Sequence, residues 1–167
     1  MRFRLGRALE LTRPEYILAA TIPPREFAQL FSSVLKAFHP RHARWRAGEK
    51  GAEQAARLKK ALPYKLAKRL AELFQENDST PFSSARWRTV VFETGARTGL
   101  LMCGDLRAAG RVLLAEQSPG VDPTVEALRA AARERGPLRE LLRYAISDEY
   151  FTLRESLGTS VTKAVAA

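Results

Sequence analysis

Apolar residues along most of this chain recur with the 3, 4, 7 spacing of one-faced helices. Phe27, Leu30, Phe31, Val34, Leu35 and Phe38 give the clearest such face, predicting a helix that opens at Pro24. Before it, Phe3, Leu5, Leu9 and Leu11 mark a helix that starts at the N-terminus without a capping signal. Arg13-Pro14-Glu15 opens a second, short helical run, with proline tolerated in the first turn. His39 to Gly51 reads as a loop, and 52–62 and 63–75 as two helices, or one bent at Pro63. In the latter, Leu66, Leu70, Leu73 and Phe74 make a narrow apolar stripe, with Lys65, Lys68 and Arg69 away from it. Asn77 to Ser83 is polar, a loop and a candidate boundary.

Ser84 is placed to cap a long helix through Met102. Gly104-Asp105 ends that helix and caps the next, over 106–114. After the turn at Ser118-Pro119-Gly120, Asp122-Pro123 reads as an N-cap followed by proline at the first helical position, with the helix running to Arg135. Gly136-Pro137 separates this from a helix over 138–146. Ser147 or Asp148 caps a last helix through Leu157, which Gly158 ends, leaving 159–167 as a frayed tail. Only Thr89 to Phe92 has any β character, and it is too short to outweigh its surroundings. The expectation is an all-α fold: one compact domain over 1–158, eight or nine helices in helical hairpins, with a tightly packed central helix near 84–102. No internal repeat is visible within the chain.

At 167 residues and 46% apolar content, the chain can bury a core. The longest apolar stretch, around Leu100, is interrupted by Glu93, Arg97 and Asp105, so no transmembrane segment is predicted. Charges throughout MRFRLGRALELTR replace the apolar run of a signal peptide, which predicts a cytoplasmic protein. The lone Cys103 excludes an intramolecular disulfide framework and reads as an inert core thiol. The abrupt, uncapped start of the first helix suggests a piece of something longer.

Charge changes the picture more than composition does. Between Lys36 and Arg69 there are eleven Lys or Arg against Glu49 and Glu53, whereas the rest nearly balances at seventeen against sixteen. This fifth of the chain therefore holds almost all of the +10 net charge. Arg41, Arg44 and Arg46 flank Trp45 in the loop, and Arg57, Lys60, Lys65, Lys68 and Arg69 occupy the helices after it. Such a surface suits an acidic protein partner, and it suits nucleic acid, with Trp45 available for stacking. An anionic membrane surface is a further reading.

The other singular segment is TVVFETGARTGLLMCGD, Thr89 to Asp105. Projected at a helical pitch, Gly95 and Gly99 share a side with Phe92, Ala96, Cys103 and Arg88. That small-residue groove predicts a closely packed crossing helix, because two glycines otherwise cost about 2 kcal/mol of helix propensity. Glu93 and Arg97 are spaced as an i, i+4 ion pair.

TGARTGLLMCGD, at Thr94 to Asp105, resembles the segment T-A-D-R-A-G-L-L-x-C-G-D of helical domains attached to tetratricopeptide-repeat proteins of myxobacteria and relatives. LGRALELTRPEYILAATIPP and LLRYAISDEYFTLRESLG also fit such domains, so the resemblance spans most of the chain. Those domains are similar to zinc metallopeptidases that carry an HExxH helix followed by a Glu-x-x-x-Asp helix. On this motif, the third zinc ligand and its supporting Asp fall on Phe92 and Ala96, which cannot serve. Shifting by one recruits Glu93 but loses the match at Gly99. HExxH is absent, and the only histidines, His39 and His42 in HPRH, lack the required spacing and acid and read as solvated loop residues. The resemblance thus implies a peptidase-like scaffold without its metal or its chemistry.

Phosphate-binding loops, dinucleotide fingerprints and the GxSxG elbow are absent too. The reading is of a non-catalytic helical protein-interaction domain needing no cofactor, part of a larger repeat-containing protein. Its partner is an acidic protein or an upstream repeat domain. The alternative is a nucleic-acid-binding protein that uses 36–69 without strong sequence specificity.

Overall fold

A computed structural model describes residues 1–39 and 49–159. The described residues are all-α, with ten helices where eight or nine were expected. They are α1 (Arg2–Leu11), α2 (Ile17–Thr21), α3 (Pro24–Phe38), α4 (Glu49–Ala61), α5 (Tyr64–Glu76), α6 (Ser84–Cys103), α7 (Leu106–Gln117), α8 (Val125–Arg133), α9 (Pro137–Ala145) and α10 (Asp148–Ser156). The chain's contacts divide it into one unit of Met1–Ile17 with Val90–Ala167, and another of Leu18–Thr89. These divisions fall inside α2 and α6, whereas the polar stretch 77–83, marked in the sequence as a candidate boundary, lies within the second unit.

In the first unit, Leu100 is fully buried at the centre of a cluster with Phe3, Ala96, Ala109, Leu113, Leu141, Tyr144 and Tyr150. Gly95 and Gly99 face α1. A Cβ built on Gly99 would stand 2.7 Å from the Phe3 carbonyl oxygen and 2.8 Å from Phe3 Cδ2. On Gly95 it would meet Leu11 Cδ2 at 3.2 Å and Arg7 Cγ at 3.3 Å. From the other side of the same crossing, Gly6 of α1 sits against Met102, whose Sδ would be 2.8 Å from an added Cβ. Small residues on both helices thus let α1 and α6 approach closely. Cys103 packs against the cluster half-buried, and its Sγ accepts a hydrogen bond from the Asp105 backbone N–H at 3.4 Å.

In the second unit, α3 packs against α4 and α5 around Ala37, Phe38 and Ala55, with Val34, Leu58, Leu62, Ala67, Leu70 and Phe74 at the margin. Gly51, expected in the loop, is buried inside α4. The buried Ser33 hydroxyl lies 2.9 Å from both the Gln29 carbonyl and Gln54 Oε1, a polar tie between α3 and α4. Arg88 donates to the Ala19 and Ile22 carbonyls, the latter at 2.8 Å, and lies over the Phe27 ring. Its cation thereby sits at the C-terminal end of α2, where orphan carbonyls and the helix dipole favour positive charge.

Two caps differ from expectation, by one and two residues, and two are as expected. Ser83, not Ser84, accepts the Arg86 N–H at the start of α6. Thr124, not Asp122, caps α8, accepting from the Ala127 N–H at 3.1 Å. Asp105 caps α7 through the Ala108 N–H at 2.9 Å, and Ser147 caps α10 through that of Tyr150. Gly104 and Gly158 end their helices at φ +64°, a left-handed conformation that a side chain would strain.

Candidate interaction surface

α5 presents no fully buried residue, although its sequence is strongly one-sided. Ala67, Leu70 and Phe74 turn toward the core of the second unit. Leu66 and Leu73 do not: they are 47% and 39% exposed, a large apolar surface for a helix already packed on one face. Arg69, expected away from the stripe, lies three residues after Leu66 and four before Leu73, which places it beside both exposed leucines and between them along the helix. Tyr64, at the head of the helix, is 80% exposed.

The cations of α4 and α5 do not all stand alone. Arg57 pairs with Glu53 at 2.7 Å. Arg69 reaches Glu72 at 3.6 Å and Glu76 at 3.5 Å, and Lys68 reaches Glu72 at 4.0 Å. Exposed pairs of this kind contribute only about 0.2–1 kcal/mol, so an incoming group can break them. Their carboxylates nevertheless interrupt the positive field. Among the described residues, Lys60 and Lys65 take part in no ion pair. Arg41, His42, Arg44, Trp45 and Arg46 lie outside the described residues.

His39 is not the solvated loop residue that HPRH implied. It is 3% exposed, stacked on Phe74 at 5.4 Å with the rings 6° apart, and edge-on to Phe82. Its Nε2 lies 3.4 Å from the exposed Asp78 carboxylate. The imidazole thereby joins α3 to the 77–83 segment as a packing element.

The positions singled out by the peptidase resemblance all lie in the first unit. Ala96 is in the core of the first unit. Phe92 lies beneath the Arg7 guanidinium, which also pairs with Glu116. Glu93 borders a narrow crevice with Arg97, Pro137 and Glu140. The expected Glu93–Arg97 pair is absent among the described ion pairs; Arg97 lies instead over the Tyr144 ring, 5.0 Å from its centroid. No group of three or more His, Cys, Asp or Glu residues placed to hold a metal occurs among the described residues. No described helix is long and apolar enough to cross a membrane.

One feature was not foreseen. A cleft of about 430 Å³ opens between α7, α8 and α9, lined by Leu106, Gly110, Val125, Leu128, Leu138 and Leu142, with Arg107 and Arg129 on its wall. Its sequence signal is the one-sided face of α8, which carries no fully buried residue.

No protein-family model, curated protein or solved structure matches the chain.

Proposed function

We propose that this chain is a non-catalytic docking domain of a cytoplasmic, repeat-containing bacterial protein, and that the outward face of α5 receives an acidic amphipathic helix of a protein partner. The observation that carries this reading is the pairing of exposed Leu66 and Leu73 with Arg69 between them. Apolar knobs interleaved with cations match a helix that offers its own leucines flanked by Glu or Asp. The resemblance of Thr94 to Asp105 to domains attached to tetratricopeptide repeats supports the same assignment.

Nucleic acid is the second reading, since the same fifth of the chain carries the excess charge. It is the less favoured because phosphate contact leaves the exposed Leu66 and Leu73 without a role. Fluorescence anisotropy of labelled duplex and single-stranded DNA at several salt concentrations separates the two. The docking reading predicts no saturable binding at physiological ionic strength. Micromolar binding that falls steeply with salt, and is lost when Arg57, Lys60, Lys65 and Arg69 are changed to Glu, would replace it with the nucleic-acid reading. Contacts to five or six phosphates would lower affinity by roughly 10² to 10⁴ between low and moderate salt.

A further inference from the structure

We propose that the cleft between α7, α8 and α9 binds a single-chain fatty carboxylate, with its alkyl tail inside and its carboxylate held by Arg107 and Arg129. The cleft belongs to the unit that lacks α4 and α5, and its ligand does not depend on the docking reading. Leucine and valine side chains from all three helices make up its walls. Its volume of about 430 Å³ lies in the range of small-molecule sites. At about 30 Å³ per water-sized group, such a space takes on the order of a dozen methylenes. Gly110 keeps the base of the cleft free of a side chain: a Cβ there would press on Leu128 Cδ2 and Leu138 Cδ1, both at 3.3 Å.

The charge on the wall selects the head group. Arg107 and Arg129 are exposed, and among the described residues neither takes part in an ion pair. Glu126 stands three residues before Arg129 on α8 without pairing with it, and the Asp105 carboxylate is engaged as the cap of α7. Two guanidinium groups beside an apolar cleft thus lack a neutralising anion. A carboxylate matches the planar fork of arginine, and one alkyl chain matches the cavity.

The test is calorimetric titration of the full chain with dodecanoate, below its micellar concentration, alongside amide chemical-shift mapping. The expected result is one dodecanoate per chain, with shifts confined to residues 106–142. Dodecyltrimethylammonium, with the same tail and the opposite charge, should bind at least tenfold more weakly. The double variant Arg107→Gln/Arg129→Gln should lose roughly fivefold or more in affinity, the scale of two exposed ion pairs. Ala132→Phe, which fills the cleft from α8, should abolish binding while circular dichroism remains that of the parent. Shift mapping on the unmodified protein keeps the test valid should a variant misfold. Absence of saturable binding, equal affinity for the cationic amphiphile, or shifts elsewhere would overturn the proposal. Tighter binding of a short peptide ending in a leucine carboxylate would overturn it in favour of a peptide site.

Discussion

Replacing Gly99 with alanine tests the α1–α6 crossing, because two effects of known size oppose each other there. Alanine in a helix interior is favoured over glycine by about 1 kcal/mol. In this structure the added Cβ would lie 2.7 Å from the Phe3 carbonyl oxygen, well inside contact distance. That oxygen belongs to the backbone of α1, so relief requires moving the helix rather than turning a side chain. Overpacking of this kind costs about 1–3 kcal/mol. The net expectation is a loss of up to about 2 kcal/mol, which for a chain of this size corresponds to up to roughly 8 °C in Tm. Gly95→Ala is the internal control: the nearest atoms to its Cβ would be side-chain atoms of Leu11 and Arg7, at 3.2 and 3.3 Å, and these can yield. Gly95→Ala should therefore be neutral or stabilise by up to about 0.5 kcal/mol. Urea unfolding followed by circular dichroism, read against the parent, measures both. Equal stabilisation by the two substitutions would show that α1 does not press on α6 at Gly99 and would refute the packing argument.

Three further outcomes follow from the same geometry. Arg88→Met should destabilise the chain by roughly 1.5–3 kcal/mol, because the Ala19 and Ile22 carbonyls lose a charged donor; chemical denaturation measures the loss. His39→Ala should cost about 2–3 kcal/mol by removing a ring packed between Phe74 and Phe82, whereas His39→Phe should recover most of that loss. The Tyr144 hydroxyl is held above its ordinary pKa of 10.0, first by burial and then by the Glu149 carboxylate, with Arg97 opposing. Folding therefore favours its protonated form: that stability is complete below pH 10.0 and is lost as pH rises through the higher folded value. Alkaline ultraviolet titration of the parent against Tyr144→Phe should show one tyrosine ionising late, and the variant's stability should fall less above pH 10.0.

Much of the fold was legible because local signals agreed with one another. Pro24 and the 3, 4, 7 face of α3 gave its start and its length together, and the polar run at 77–83 gave the end of α5. Caps were less legible where two capable residues stood side by side: Ser83 and Ser84 are equivalent on paper, and Thr124 competes with Asp122. Gly51 reads locally as a helix breaker, yet it is buried within α4.

The features that define the candidate sites are long-range. Nothing near His39 announces that Phe74 and Phe82 will enclose it, so a basic HPRH stretch reads as solvated loop. The cleft needs α7, α8 and α9 together, and the sequence shows only that α8 has one apolar face. On α5 the stripe was readable, but the division of its leucines between core and exterior depends on how α5 packs within its unit. Partnering of Arg57, Lys68 and Arg69 by nearby glutamates follows from helical spacing, and it tempers a reading drawn from net charge alone.

The central claim is that the outward face of α5 meets an acidic helix of another protein. Its most direct test places a benzophenone amino acid at position 66, in place of the exposed Leu66, and irradiates cells that express the full chain. The account predicts a discrete adduct that survives nuclease, maps to an acidic amphipathic helix of one polypeptide, and is suppressed by a peptide of that helix. The same group placed at the exposed Ala115 of α7 should give no such adduct. Nuclease-sensitive adducts, or labelling from position 66 no stronger than from position 115, would contradict it.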